Sequence, residues 1–285
     1  MFPMTKQALS IRFFINAMFP ENLIPYFREK IKEKNFVELP FPISHSEFSK
    51  AADCFFEFLS LSYEAKQKFL LYIDPTDQES MVGYMKRQHK NGDYDEKEYF
   101  HYNRYAEVEF AKLAEETGPK ASEFFKCARY IYGSAEFIIG RVIKAFDAEF
   151  PGMYEKFFPL NAFPHFYLRF LKYNVMGEGN FLAGAHYDQG ACTLALAESA
   201  PGLRIGRNEA TLKDVEHKDG TVIFMPGLQF HLFTSEEFTP AWHDVVQKSE
   251  HTLNKEVARW AIVFFADPVR DKRQTKWEDR HRPTY

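Results

Sequence analysis

Between Phe166 and Phe265 the chain reads as seven short β-rich runs with no helical stretch between them. They are Phe166–Tyr173, Ala191–Ala197, Leu203–Gly206, Thr221–Met225, Leu228–Thr234, Ala241–Val246 and Val257–Phe265. Gly, Pro, Asn or Asp stands between most of them, the residues that turn a chain back on itself. Consecutive strands without crossover helices pair antiparallel, and this number predicts a sandwich or barrel. The preceding half reads differently. Leu23, Ile24, Tyr26, Phe27 and Ile31 mark an amphipathic helix within Glu21–Lys34, and Phe36–Leu39 a short strand ending at Pro40. Ser44 or Ser46 is placed to cap a helix through Leu59, and Ser62 a second through Leu71. After Gly118–Pro119, the residues Phe124, Ala128, Ile131, Ala135, Ile138, Val142 and Phe146 recur at intervals of three and four. That stripe belongs to a long helix whose apolar face needs a sheet to cover it.

Composition excludes several classes of function. With 45% apolar and 27% charged residues in 285, the chain has ordinary globular composition. Lys and Arg number 36 against 40 Asp and Glu, a net charge of -4, so no basic excess points to nucleic acid. Cys54, Cys127 and Cys192 are odd in number and widely spaced, which predicts neither a disulfide framework nor a cysteine zinc site. The N-terminus lacks a basic segment followed by an apolar run, and no apolar stretch approaches the roughly 18 residues of a membrane span. The expectation is a cytoplasmic protein without membrane or nucleic-acid partners; its oligomeric state is not legible.

The sharpest local feature is Gly184-Ala185-His186-Tyr187-Asp188-Gln189-Gly190. In extended backbone His186 and Asp188 leave the same face. An imidazole beside a carboxylate is either a surface hydrogen-bonding pair or two arms of a metal site. A second imidazole from another strand would complete a facial triad that leaves three positions of an octahedral metal open.

The surroundings of this run resemble the isopenicillin N synthase-like group of non-haem iron, 2-oxoglutarate-dependent dioxygenases. The run from His186 to Leu194 is similar to the family's His-Thr-Asp-x-Gly-x-Leu-Thr-Leu, and Gly202-Leu203-Arg204-Ile205 to its Gly-Leu-Gln-Val. Phe238 to Val245 looks like the segment presenting the second histidine, and Arg259 to Phe265 like the Arg-x-Ser strand that grips the co-substrate. Upstream, Leu61 to Lys68, Gly83-Tyr84 and Asp95 to Phe100 match further family elements in the same order. The resemblance implies a double-stranded β-helix (jelly-roll) with helices on one side. All 285 residues then form one domain: a helical region over 1–158, a jelly-roll core with the metal site over 159–270, and a tail over 271–285.

The same resemblance implies Fe(II) held by His186, Asp188 and His243, with 2-oxoglutarate and O2 as co-substrates and a small molecule as substrate. Succinate and CO2 would accompany hydroxylation, desaturation or ring closure. His251 competes for the third position, because Arg259 lies sixteen residues after His243 and eight after His251. His231, alternating with Phe230 and Leu232 on an expected strand, reads as a pocket-lining or core residue. Arg259 precedes the apolar run Trp260–Phe265, where a buried guanidinium needs an anionic partner; the distal carboxylate of 2-oxoglutarate suits its planar fork. Ala261 stands where family members carry Ser. Tyr173 matches a family Tyr that contacts the same carboxylate, and also fits a structural Tyr. Phe166, Phe224, Phe230 and Phe233 are candidates for cavity walls or for core. Two other readings stay open: an iron oxidase of the same fold that needs no 2-oxoglutarate, and a non-catalytic metal- or ligand-binding relative. A zinc hydrolase could use the same three ligands, but it gives Arg259 no task.

Overall fold

The computed structural model describes residue 19 and residues 22–73, 81–87, 97–248 and 252–268. Helix α1 (Leu23–Lys34) and strand β1 (Val37–Pro40) lead into α2 (His45–Leu59). Ser44, not Ser46, caps α2. Its side chain accepts from Glu47 N–H while the Glu47 carboxylate accepts from Ser44 N–H, a reciprocal capping box. Ser62 caps only the short α3 (Tyr63–Gln67), because Leu70–Tyr72 is strand β2 rather than the end of a helix. Pairing decides this: β2 adds to β3 (Met81–Arg87), and Phe69 O accepts Tyr84 N–H at 2.7 Å.

Strand β4 (Lys97–Tyr102) precedes α4 (Arg104–Thr117), the long α5 (Pro119–Asp147) and α6 (Met153–Phe157). Pro119 opens α5, where its missing N–H costs no hydrogen bond. The β half follows as β5 (His165–Asn174), β6 (Phe181–His186), β7 (Cys192–Glu198), β8 (Leu203–Gly206), β9 (Lys213–Asp214), β10 (Thr221–Pro226), β11 (Trp242–Val246) and β12 (Val257–Asp267). All pairs are antiparallel. Among the described residues one sheet runs β1-β10-β7-β12-β5-β4-β3-β2 and a smaller one β6-β11-β8-β9. These are the two sheets of a jelly-roll, with β2–β4 widening the larger sheet beyond what the sequence predicts.

Two expectations fail here. The run Leu228–Thr234 is a helix, α7 (Leu228–Phe233), not a strand. Its first N–H groups donate to the loop beside the site, Leu228 to Asp188 O at 2.9 Å and Gln229 to Gly190 O at 3.1 Å, so no strand partner is needed. Conversely β6, which carries His186, was hidden by its composition, Phe-Leu-Ala-Gly-Ala-His, with little β-branched character.

The larger sheet separates two cores. Its outer face, carrying Phe166, Phe170, Leu194, Phe224, Trp260 and Phe264, packs against the stripe of α5 predicted from Phe124 to Phe146. Each Phe fully buried there contributes on the order of 1.5–3 kcal/mol. Phe166, Phe224, Phe230 and Phe233 all lie on this helical side, with Phe230 5.0 Å from Phe146 and Phe224 5.0 Å from Phe27. They are core, not cavity wall. A second cluster, including Leu171, Tyr173, Leu203, Ile205, Met225 and Ala261, fills the space between the two sheets.

The three cysteines are free thiols. Cys54 and Cys127, 73 residues apart, nevertheless come together from α2 and α5 with sulfurs 3.4 Å apart. Burial, reinforced by Cys54, pushes the Cys127 thiol up to about 12. Among the described residues no helix is long and apolar enough to cross a membrane.

Candidate metal centre

Strand β6 ends on His186, and β11 places His243 directly opposite as its register partner. Their rings lie 4.5 Å apart. Asp188 arrives two residues beyond β6, its Oδ1 3.5 Å from His186 Nε2 and its Oδ2 3.8 Å from His243 Nε2. One ligand atom from each of the three residues lies within 4.8 Å of the other two. The structure thus brings together the three residues chosen from the sequence; His251 lies outside the described residues.

The imidazoles are aimed by their far nitrogens. His186 Nδ1–H donates to Gly184 O at 2.7 Å and His243 Nδ1–H to Ala241 O at 3.0 Å. Each bond leaves the Nε2 lone pair facing Asp188, the tautomer a metal ligand requires. Thr193 Oγ1–H holds Asp188 Oδ2 at 2.5 Å. Burial by itself would raise the Asp188 pKa, but His243, His186 and Thr193 outweigh it and keep the carboxyl well below its ordinary value. Burial also dominates His243 and lowers its pKa, so that imidazole is neutral. In the more open His186 burial opposes charge as well, yet the neighbouring Asp188 carboxylate raises its pKa. Two imidazole nitrogens and one carboxylate on one side of a point fit a divalent metal such as iron(II), with the opposite side left for other ligands.

Residues that the sequence did not single out hold this geometry. Asp267, at the end of β12, accepts Ala191 N–H at 2.9 Å, and a Cβ at Gly190 would collide with the same carboxylate. Only glycine lets the loop after Asp188 close so tightly. Beside His243, Asp244 takes both arms of Arg204, at 2.8 and 2.6 Å, and so rivets β11 to β8. His231 is not a ligand; on α7 its Nδ1 hydrogen-bonds Phe238 O at 3.0 Å.

Arg259 points between the sheets, as expected, with its side chain only 3% exposed. Its anionic partner is internal to the chain: Nη2 donates to the Glu198 carboxylate, and His217 Nδ1 approaches the other Glu198 oxygen at 3.3 Å. Glu198 is a functional candidate that sequence reading missed, although a Glu closing the apolar run Ala191–Ala197 was a signal. Arg259 Nε and Nη1 are buried without a hydrogen-bond partner; they point to opposite sides of the guanidinium, and the Nη1 end still suits a second carboxylate, such as that of 2-oxoglutarate. Gly202 permits the close passage here, since a Cβ would crowd Arg259 Nη1 at 3.0 Å and strike Val246 O. Tyr173 is the register partner of Arg259 and is buried beside it.

Along β5 and β12 the inward face becomes less buried away from this end. The inward residues Leu171, Tyr173 and Arg259 are buried, whereas Tyr167, Arg169, Val263 and Phe265 on the same two strands are half-buried.

Residues 165–268 match the family model of the 2OG-Fe(II) oxygenase superfamily. No curated protein matches the sequence. Solved structures do match the fold. A full-length Neurospora crassa protein in complex with alpha-KG aligns at a TM-score of 0.66 and 18% identity, over 90% of this chain and 83% of that one. The Arabidopsis thaliana dioxygenase for auxin oxidation 1, with 2-oxoglutarate, aligns at 0.64 and 16%, over 86% and 88%. JOX2 in complex with 2OG, Fe and JA aligns at 0.64 and 18%, over 86% and 71%. At these identities the likeness establishes the fold. The family match names the superfamily as a whole rather than its isopenicillin N synthase-like members, and the matched stretch, a little over a third of the chain, includes His186, Asp188, His243 and Arg259.

Proposed function

We propose that this chain is an Fe(II)- and 2-oxoglutarate-dependent oxygenase that oxidises a small molecule by hydroxylation, desaturation or ring closure, releasing succinate and CO2. One observation carries the reading. Two Nε2 atoms and one carboxylate converge on a single point, each imidazole fixed by its own backbone carbonyl. Iron(II) bound there supplies the chemistry that couples O2 to oxidation of 2-oxoglutarate and substrate.

The chain's residues do the positioning. His186, Asp188 and His243 hold the metal, and Thr193 keeps one Asp188 oxygen turned away from the imidazole of His186. Arg259, with Tyr173 beside it, offers its unpartnered Nη1 to the distal carboxylate of 2-oxoglutarate at the buried end. The apolar residues between the sheets exclude water from that end. With reduced thiols and no basic excess, we place the protein in the cytoplasm, acting without nucleic acid or membrane.

The test is anaerobic addition of Fe(II) and then 2-oxoglutarate, followed by O2. The expected results are a visible charge-transfer band and succinate formed in step with oxygen consumed. Absence of the band at millimolar co-substrate removes the assignment. A second reading, an iron oxidase that takes its electrons from the substrate alone, is favoured by Glu198 on Arg259 and by Ala261 in place of Ser. Oxygen consumption without succinate would select it.

A further inference from the structure

Arg169 lies on the inward face of β5, level with His101 on β4 and Val263 on β12. Its guanidinium is enclosed by three rings, its Cζ 4.8 Å from the centroid of Phe265, 5.5 Å from Tyr167 and 5.6 Å from Tyr99. Its Nε–H donates to His101 Nε2 at 2.6 Å. The His101 ring turns its Nδ1–H to Met81 O at 3.3 Å, the tautomer that makes Nε2 an acceptor. Burial, and next the charge of Arg169, holds His101 well below its ordinary pKa, so this partner is neutral and does not balance the cation.

That sets Arg169 apart from the other interior arginines. Arg104 has Glu136 and Glu107, Arg204 has Asp244, and Arg259 has Glu198. Among the described residues Arg169 has no carboxylate partner. Rings cover its faces and His101 takes its Nε edge, so the edge formed by the two terminal nitrogens remains to receive a planar anion bidentately.

Its position relates that edge to the metal centre. Phe265, beneath the guanidinium, is the register partner of Thr193, and Thr193 holds Asp188. The cation therefore lies on the half-buried stretch of the inward face, linked to the triad through Phe265 and Thr193, and away from the buried end that holds Arg259. We propose that Arg169 anchors the primary substrate, and that this substrate is a small organic acid whose carboxylate meets the terminal nitrogens while an apolar, ring-bearing body lies over Phe265 toward the metal. The inference rests on the oxygenase reading for the role of the site, but not for the binding itself.

The test therefore measures binding in the purified, metal-free full chain, with phenylacetate and 3-phenylpropanoate as probes and their amides as neutral controls. The acids should bind at least about tenfold tighter than the amides. Arg169→Met should reduce that preference below about threefold, and Arg169→Lys, which keeps the charge without the fork, should restore part of it. Fe(II) and 2-oxoglutarate affinities of Arg169→Met should stay within about twofold of the parent. The inference is overturned if neither acid binds at about 10 mM, if acid and amide bind alike, or if Arg169→Met keeps the preference. Loss of 2-oxoglutarate binding in Arg169→Met would also overturn it, by making Arg169 the co-substrate's anchor. The oxygenase reading fails by a different result, an iron-loaded parent protein that forms no succinate.

Discussion

Strands β5 and β12 present two faces made of alternate residues of the same segments. Outward, Phe166, Leu168, Phe170, Trp260, Ile262 and Phe264 join one apolar cluster with the helices. Inward, the alternate positions carry Tyr167, Arg169, Tyr173, Arg259, Ala261 and Phe265, where charge, hydroxyl and ring are set against each other. The period of two in a strand lets one stretch of chain fold on one face and do chemistry on the other. The cost of error differs accordingly: outward substitutions act on stability alone, while inward ones also act on what the site binds.

The largest test of this division removes the partner of the outward face altogether. We expect a Pro159–Tyr285 fragment, lacking α1 to α6, to be insoluble or molten, because the Phe-rich face of the larger sheet loses its cover. A well-dispersed, cooperatively unfolding fragment would refute the one-domain proposal.

Single substitutions sharpen the contrast. Phe264→Ala on the outward face should cost about 3–5 kcal/mol of stability, read from urea unfolding, with Fe(II) and 2-oxoglutarate binding unchanged. Arg259→Ala on the inward face should cost a similar amount, about 3–5 kcal/mol, because Glu198 is left buried and unpaired. Unlike Phe264→Ala it should also weaken 2-oxoglutarate on the order of thirtyfold, the equivalent of about 2 kcal/mol. Replacing His186, Asp188 or His243 with Ala should remove most Fe(II) binding in an anaerobic titration while leaving the unfolding midpoint nearly unchanged. Should His243→Ala bind iron normally and His251→Ala not, the third ligand is His251.

How far each face could be read from the sequence follows the same division. The α5 stripe and most strand positions were legible, because burial against a continuous partner leaves a period that any window detects. His186, Asp188 and His243 were legible through their motif neighbours. Glu198 and Arg169 were not: what they do depends on the residue across the strand pair, and register is invisible in a single strand's composition. The same holds for Leu228–Phe233, whose alternation suggests a strand until the Asp188 loop supplies partners for its first N–H groups.

A smaller effect tests the buried pair by pH. Burial alone would raise the Glu198 pKa, but Arg259 and His217 overcome it and lower the group below its ordinary 4.5. A carboxyl lowered in the folded state contributes stability that is present above its unfolded value and lost as pH falls through the folded one. Urea stability of the parent should therefore fall more steeply than that of Glu198→Gln as pH drops below about 4. Parallel curves would show that the pair is not ionised as the structure implies.

The smallest expected effect concerns Ala261, on the inward face one pair along β12 from Arg259 and opposite Leu171 and Glu198. A hydroxyl here would lie among buried neighbours, so it gains only if it finds an acceptor. With 2-oxoglutarate bound at Arg259, its distal carboxylate would supply one, and Ala261→Ser should tighten co-substrate binding by about 1 kcal/mol, roughly fivefold. Without co-substrate the same substitution should slightly lower the unfolding midpoint, since the hydroxyl is then buried unmet. The pair of measurements separates the two readings of the inward face. Tightening by 2-oxoglutarate together with a weaker free protein places the carboxylate at Arg259. A loss of stability that 2-oxoglutarate does not reverse leaves Glu198 as the sole anion there, and favours the oxidase that works without the co-substrate.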